Sequence, residues 1–201
     1  MKSVQIIANS RAVGLEAAYA RQGDFGSQKE WEQLITGASK QVDIMGRTAF
    51  GWCTDVVAKI IVKKIVRDDV DFRWLIMDKS NKYLPLLKEE NINIGDMLLD
   101  KLKHVEAFLA KIRSQLPEAK RAKLQVKMFA DVPLYCGIVR IDDRLYVTHY
   151  MFNSPSNHSP LSVLRGSDET WTKAYRSEFD LIWEHSTDVF QSAAGVSTSG
   201  S

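Results

Sequence analysis

Cysteine is scarce in this chain, with Cys53 and Cys136 the only two. They show no C-x-x-C spacing and sit among apolar residues, which excludes a disulfide framework and predicts two free, buried thiols suited to a reducing cytosol. Long apolar runs are missing too. No window approaches the ~18 apolar residues of a spanning helix, and residues 1–9 are too short for a secretory signal, so a cytoplasmic protein with no membrane partner is expected. An excess of one charge is also absent, with 27 Lys and Arg against 25 Asp and Glu and a net charge of +2. That balance gives no strong pull toward nucleic acid, although it leaves such a partner open. Neither a fixed-period repeat nor an inner linker interrupts the chain. Of the 201 residues, 45% are hydrophobic and 26% charged, enough apolar material for one core without staples. Residues 1–190 therefore read as one domain. Residues 191–201, rich in Ser, Gly and Ala, read as a disordered tail.

Short apolar runs that end in polar residues recur. Residues 4–8 lead into Asn9-Ser10-Arg11, 41–45 into Gly46-Arg47-Thr48, and 72–77 into Asp78-Lys79-Ser80-Asn81, the pattern of buried strands delivering polar groups at their C-terminal ends. Between them lie helical patterns. Ser27-Gln28-Lys29-Glu30 has capping-box spacing ahead of Trp31, Leu34, Ile35 and Ala38. Thr54 can cap a second helix striped by Val56, Val57, Ile60, Ile61 and Ile65, with Lys59, Lys63, Lys64 and Arg67 as its solvated face. This alternation predicts a βαβαβ unit in an α/β fold, with a mostly parallel, mixed sheet flanked by helices. Leu98, Leu102, Val105, Leu109, Ile112 and Leu116 predict one long helix of roughly 30 Å, at 1.5 Å per residue. Strands are expected again at 124–129, 135–141, 144–151 and 161–165, with the middle two joined at Asp142-Asp143. A closing amphipathic helix carries Trp171, Tyr175, Phe179, Ile182 and Trp183.

From about residue 4 to residue 186, this order of elements resembles one half of the phospholipase D superfamily, by topology and spacing more than by identity. Ile44-Met45-Gly46-Arg47 and Phe179-x-x-Ile182-Trp183 are similar to divergent bacterial phospholipase D-like domains of unassigned function, which often stand beside helix-turn-helix modules. The resemblance implies a site built from two such halves, and hence a homodimer. Active members carry His-x-Lys-x4-Asp, in which His attacks phosphorus, Lys binds phosphate and Asp supports the motif. With Asp142 as the acid, Tyr135 stands at the His position and Gly137 at the Lys position. With Asp143 instead, Cys136 and Ile138 stand there. Only the acid survives, and the downstream Asn of the pattern is matched by Asn153, displaced by about one place. The resemblance thus implies a degenerate motif, unless His149 or His158 has taken over the chemistry.

Polar residues at the ends of parallel strands are the usual ligand position in open α/β sheets. The candidates are Arg11, Arg47 and Asp78, joined from the last third by Arg140, Asn153, His158 and His149. Arginine forks match phosphate or carboxylate, and Gly46 lets a ligand approach the backbone beside Arg47. The bland readings stand beside these. Arg140 can pair with an acid, Asp78 can cap the next segment, His149 can be a buried strand histidine, and His104 and His185 are ordinary helix residues. The tryptophans read mainly as core, although Trp52 can line a pocket. No cofactor is expected, and the histidines lack zinc spacing. The expected function is a degenerate phospholipase D-like module that binds or senses an anionic, phosphate-bearing small molecule, a nucleotide among them. The alternatives are a phosphodiesterase or nuclease using His149 or His158, and a structural dimerisation module.

Overall fold

A computed structural model describes residues 12–90, 95–166 and 169–192. The strand expected at 4–8, Arg11, and residues 193–201 of the expected tail lie outside the described residues. The strands are β1 (Leu15–Tyr19), β2 (Gln41–Gly46), β3 (Asp71–Met77), β4 (Leu124–Phe129), β5 (Cys136–Ile141), β6 (Arg144–His149), β7 (Leu161–Arg165) and β8 (Thr187–Asp188). The helices are α1 (Gln22–Phe25), α2 (Gln28–Gly37), α3 (Asp55–Asp68), α4 (Leu84–Glu90), α5 (Gly95–Gln115), α6 (Thr170–Glu184) and α7 (Val189–Ser192), the last running into the expected tail.

The strands form one sheet in the order β1-β7-β6-β5-β2-β3-β4-β8. The expected mixed α/β sheet with flanking helices is present. Its parallel part is smaller than expected, since among the described residues only β2–β3 and β3–β4 run parallel and the other five pairings are antiparallel. Connection length explains the correction. Parallel neighbours need a long crossover, which α3 supplies between β2 and β3 and α4–α5 supply between β3 and β4, whereas Asp142-Asp143 is a two-residue hairpin. Asp142 takes the left-handed conformation there, at φ 54°, as such a turn requires.

Local signals place the helices. Ser27 and Glu30 form the reciprocal capping box ahead of α2, and Thr54 accepts the Val57 N–H at 3.2 Å to open α3. Period-2 alternation then divides the strands between two cores. Val42, Ile44, Phe72, Trp74, Val126 and Val139 pack toward α2, α3 and α5. Met45, Leu75, Met77, Ile138, Leu145 and Val147 pack toward Phe179 and Ile182 of α6 and Leu98 and Leu102 of α5. Among the described residues, no helix is long and apolar enough to cross a membrane.

Asp142, one of the two acids the resemblance offers for the motif, holds the far end of this sheet. Its carboxylate accepts from the Lys40 N–H at 2.8 Å, the Ser39 N–H and hydroxyl at 2.9 Å, and the Gln41 N–H at 3.1 Å. Burial pushes this carboxyl up, but the hydrogen bonds from Gln41, Ser39 and Lys40 outweigh it and hold the group below its ordinary range. The hairpin is thereby stapled to the entry of β2.

Candidate anion-binding crevice

The polar C-terminal end of β2 opens into a cavity of about 260 Å³. Its floor is made by the β2 residues Ile44, Met45 and Gly46 with Gly137 and Val139 of β5 and Thr148 of β6; the loop 47–52, Leu98 and Lys101 of α5, Gln22 of α1 and Ser154–Pro155–Ser156 form the walls. Two glycines make room for one phenol. A Cβ added at Gly137 would lie 2.9 Å from Tyr150 Oη, and one at Gly46 would lie 3.3 Å from it. Tyr150 follows β6 and donates its own N–H to the Tyr135 carbonyl at 3.0 Å, which aims the ring back over both strands. The Arg47 guanidinium lies 4.5 Å above the Tyr150 ring centroid, within cation–π range.

Donors converge on this cavity. Tyr150 Oη accepts the Arg47 N–H at 3.4 Å, and among the described residues no acceptor takes its own hydroxyl proton. Burial pushes the phenol up to about 12, against the opposing pull of Arg47, so it stays a neutral O–H donor throughout the physiological range. Lys101 lies 5.8 Å from the Phe50 ring centroid and, among the described residues, meets no carboxylate. Among the described residues, the lining contains Arg47 and Lys101 but neither Asp nor Glu. Ala49, in the loop between them, is left-handed at φ 55°. A Cβ makes that conformation costly by roughly 1–2 kcal/mol, and such strain gathers at functional sites.

Only some of the sequence-predicted residues meet here. Arg47 lines the crevice, and Trp52 does as well. Asn153, left-handed at φ 49°, and His158 are exposed residues of the loop whose members 154–156 form the wall, and neither side chain lines it. Asp78 accepts from the Ser80 N–H at 2.7 Å and the Ser80 hydroxyl at 2.6 Å, a local turn. Arg140 lies on the opposite face of the sheet, where it donates to the Asp142 carbonyl at 3.0 Å and stands 3.5 Å from Asp43. Gln22, Lys101, Tyr150, Ser154 and Ser156 escaped sequence reasoning. The one available signal was the glycine at position 137, in the middle of an otherwise apolar strand.

The alternative nucleophiles are placed elsewhere. His149 shares the α6 face with Leu145 and Val147, hydrogen-bonds Ser162 Oγ at 3.0 Å and packs edge-on against Tyr175. Burial lowers its pKa. Cys136 pairs with His149 across β5 and β6, but burial, with the charge of Glu178 behind it, pushes its thiol up to about 11. Burial alone pushes Cys53 up to about 12. Both thiols are therefore protonated at neutral pH and poor nucleophiles.

No family model and no curated protein matches this chain. Several solved structures are similar in fold, among them these three. Nuc of Salmonella typhimurium, a phospholipase D family member, is 10% identical, with 86% of this chain and 97% of that one covered at a TM-score of 0.53. The phosphatidylserine synthase of Haemophilus influenzae Rd KW20 is 14% identical, with 79% and 36% covered at 0.55. TrmBL2, an archaeal chromatin protein, is 12% identical, with 94% and 60% covered at 0.50. This chain thus spans about the whole of Nuc, three-fifths of TrmBL2 and a third of the synthase. The fold is phospholipase D-like.

Proposed function

We propose that this chain is a catalytically degenerate phospholipase D-like module that binds an anionic, phosphate-bearing small molecule in the crevice above β2 and β5. One observation carries the reading: among the described residues, the crevice is lined by two cationic side chains and a phenol and by no carboxylate. In a concave, partly desolvated site, that arrangement favours anions strongly. The superfamily's attacking imidazole has no counterpart there, since Tyr135 at its position is 75% exposed and His149 faces α6. A thermal-shift series with inorganic phosphate, nucleotides and sugar phosphates tests the reading. A ligand at a hundred times its Kd adds about 2.7 kcal/mol, a rise in melting temperature of roughly 5–10 °C for a chain of this length. Arg47→Ala is expected to abolish the rise. Hydrolysis of bis-p-nitrophenyl phosphate that disappears in His149→Ala or His158→Ala would replace binding by catalysis as the main role, and retention of duplex DNA in the absence of any shift would make nucleic acid the ligand.

The module is also proposed to pair with a second copy at the crevice end. Tyr135 and Phe152 expose 75% and 79% of their surface there, and Met151 is exposed between Phe152 and the strand. Apolar side chains gathered in this way mark interaction surfaces. Sedimentation equilibrium at micromolar concentration is expected to give a dimer that Phe152→Glu dissociates; a monomeric wild type would remove this part of the proposal.

A further inference from the structure

The balanced total charge conceals a local sorting on α3. Lys59, Lys63 and Arg67 follow one another at four-residue steps, so they share one helix face and form a stripe about 12 Å long, at 1.5 Å per residue. All three are exposed. The carboxylates nearest to them in the chain are taken by other cations. Asp55 lies 3.5 Å from Lys111 of α5, Asp68 2.6 Å from Lys64, and Asp69 2.7 Å from Lys120 and 3.1 Å from Lys123. Lys64 is the chief holder of Asp68, with Lys63 and Arg67 acting on it only at a distance. Among the described residues, no carboxylate forms an ion pair with Lys59, Lys63 or Arg67. Lys40 adds a fourth exposed cation near the end of the stripe. Its carbonyl accepts the Asp71 N–H at 2.9 Å, which places it beside the start of β3, just beyond the end of α3. None of the four lines the crevice.

Like charges four residues apart repel and weaken a helix. Two such pairs stand in series here, and a polyanion laid along them would turn that repulsion into attraction. We propose that the outer face of α3 binds the phosphate backbone of a nucleic-acid duplex without reading its sequence. Three features favour this partner. At 3.4 Å per nucleotide of one strand, the stripe spans about three to four phosphates. The surface is one convex helix, which offers no groove for an acidic peptide. Its exposed large apolar side chains are only Val56 and Val66, whereas helices that lie in a bilayer surface anchor with Trp, Phe or Leu. Contacts of this kind neutralise phosphates and fix position, which is the sequence-independent part of nucleic-acid binding. The inference goes beyond the crevice and does not depend on what the crevice holds.

Fluorescence anisotropy of labelled DNA and RNA duplexes of mixed sequence, titrated with the full chain at several salt concentrations, tests this, and the tighter arm names the source. Micromolar binding is expected at low salt, with log K falling against log salt at a slope of about −3 to −4, for three or four neutralised phosphates. Lys59→Gln/Lys63→Gln/Arg67→Gln is expected to weaken binding by about tenfold or more and to flatten the slope by about 3. Its melting temperature is expected to stay unchanged or rise, because glutamine is a good helix former and the repulsion is gone. Lys29→Gln/Lys103→Gln/Lys173→Gln removes the same charge from exposed positions elsewhere and is expected to weaken binding far less. No binding of either duplex at low salt overturns the inference, and so does binding that survives the α3 triple variant or falls equally in the control triple. Affinity lost in Arg47→Ala but kept in the α3 variant would put the nucleic acid in the crevice and overturn it too. Sedimentation with vesicles of phosphatidylserine and phosphatidylcholine in equal parts, lost in the α3 variant and unaccompanied by duplex binding, would make the partner a membrane. Thermal shifts with small phosphates bear on the crevice alone, so the two readings fail separately.

Discussion

Arg73→Met is expected to lower the unfolding free energy by about 3–5 kcal/mol, the cost of stranding a buried charge by removing its partner. The stranded group is Asp43, 1% exposed in the middle of β2. Arg73 grips it with a two-pronged fork, Nε and one terminal nitrogen each 2.8 Å from a carboxylate oxygen. The other terminal nitrogen reaches Asp180 of α6 at 2.9 Å, and the guanidinium lies over the rings of Phe179 at 4.6 Å and Trp183 at 5.4 Å. Burial works against the arginine's charge, but Asp43 and Asp180 outweigh it, and its pKa is raised. Methionine would preserve much of the contact with the two rings while leaving Asp43 only the Gln41 amide at 2.8 Å and Arg140 at 3.5 Å. For a chain of this length the melting temperature is expected to fall by roughly 6–20 °C, read by calorimetry or circular dichroism. Asp180→Asn provides the contrast, because Asp180 is half exposed and such a pair contributes about 0–1 kcal/mol. The double change Asp43→Leu/Arg73→Met is expected to recover most of the loss, since well-packed apolar residues can replace a buried pair. An Arg73→Met loss below about 1 kcal/mol would mean that the network does not hold α6 to the sheet.

This network also shows why the fold was more legible than the site. The strands and long helices announce themselves through period-2 and period-3.6 patterns and through caps such as Ser27–Glu30 and Thr54, all within a few residues of one another. Arg140 and Asp78 look like ligand groups for the same local reason, polarity at the end of an apolar run. What they bind was hidden in two different ways. Asp78 is engaged two residues away, by Ser80, a turn contact that sequence could suggest but not decide. Arg140 meets Asp43 from 97 positions away, a contact that depends on β5 lying antiparallel beside β2. The edge strand β1 has the same difficulty. Leu15–Tyr19 is half exposed, and only pairing with β7, far along the chain, makes it a strand. A search by charge for functional residues is also blind to residues without side chains. Gly46 and Gly137 shape the crevice by what they lack, and Gln22, Lys101 and Tyr150, which line it with them, come from distant parts of the chain that packing alone brings together.

Gly137→Lys, which places a lysine where the Asp142 alignment would put that of the phospholipase D motif, is expected to destabilise the protein by about 2–4 kcal/mol, as overpacking and partial burial of a charge do. The reason is that the volume is already taken. A Cβ at position 137 would stand 2.9 Å from Tyr150 Oη and 3.4 Å from the Met45 carbonyl, and neither neighbour can give way easily. The carbonyl belongs to a paired strand, and the phenol is closed in by Gly46 on one side and the Arg47 guanidinium on the other. Tyr150 is partly buried, so Tyr150→Ala alone should cost about 3 kcal/mol, the low end of the range for truncating a core aromatic side chain. If lysine and tyrosine compete for one space, the two changes cannot add. The lysine stem would fill part of the cavity left by the phenol, and the double variant is expected to be more stable than the sum of the singles by at least about 1 kcal/mol, a coupling typical of residues in contact. Denaturant unfolding of the four proteins in the cycle measures this directly. Strict additivity would show that Gly137 is a glycine for some reason other than the Tyr150 phenol. With the expected coupling, a lysine at position 137 and the phenol of Tyr150 are alternatives for one space, an ammonium or a neutral hydroxyl donor. The phenol offers an anion a hydrogen bond without an ammonium's positive charge, an arrangement suited to holding a ligand rather than stabilising charge that develops during phosphoryl transfer.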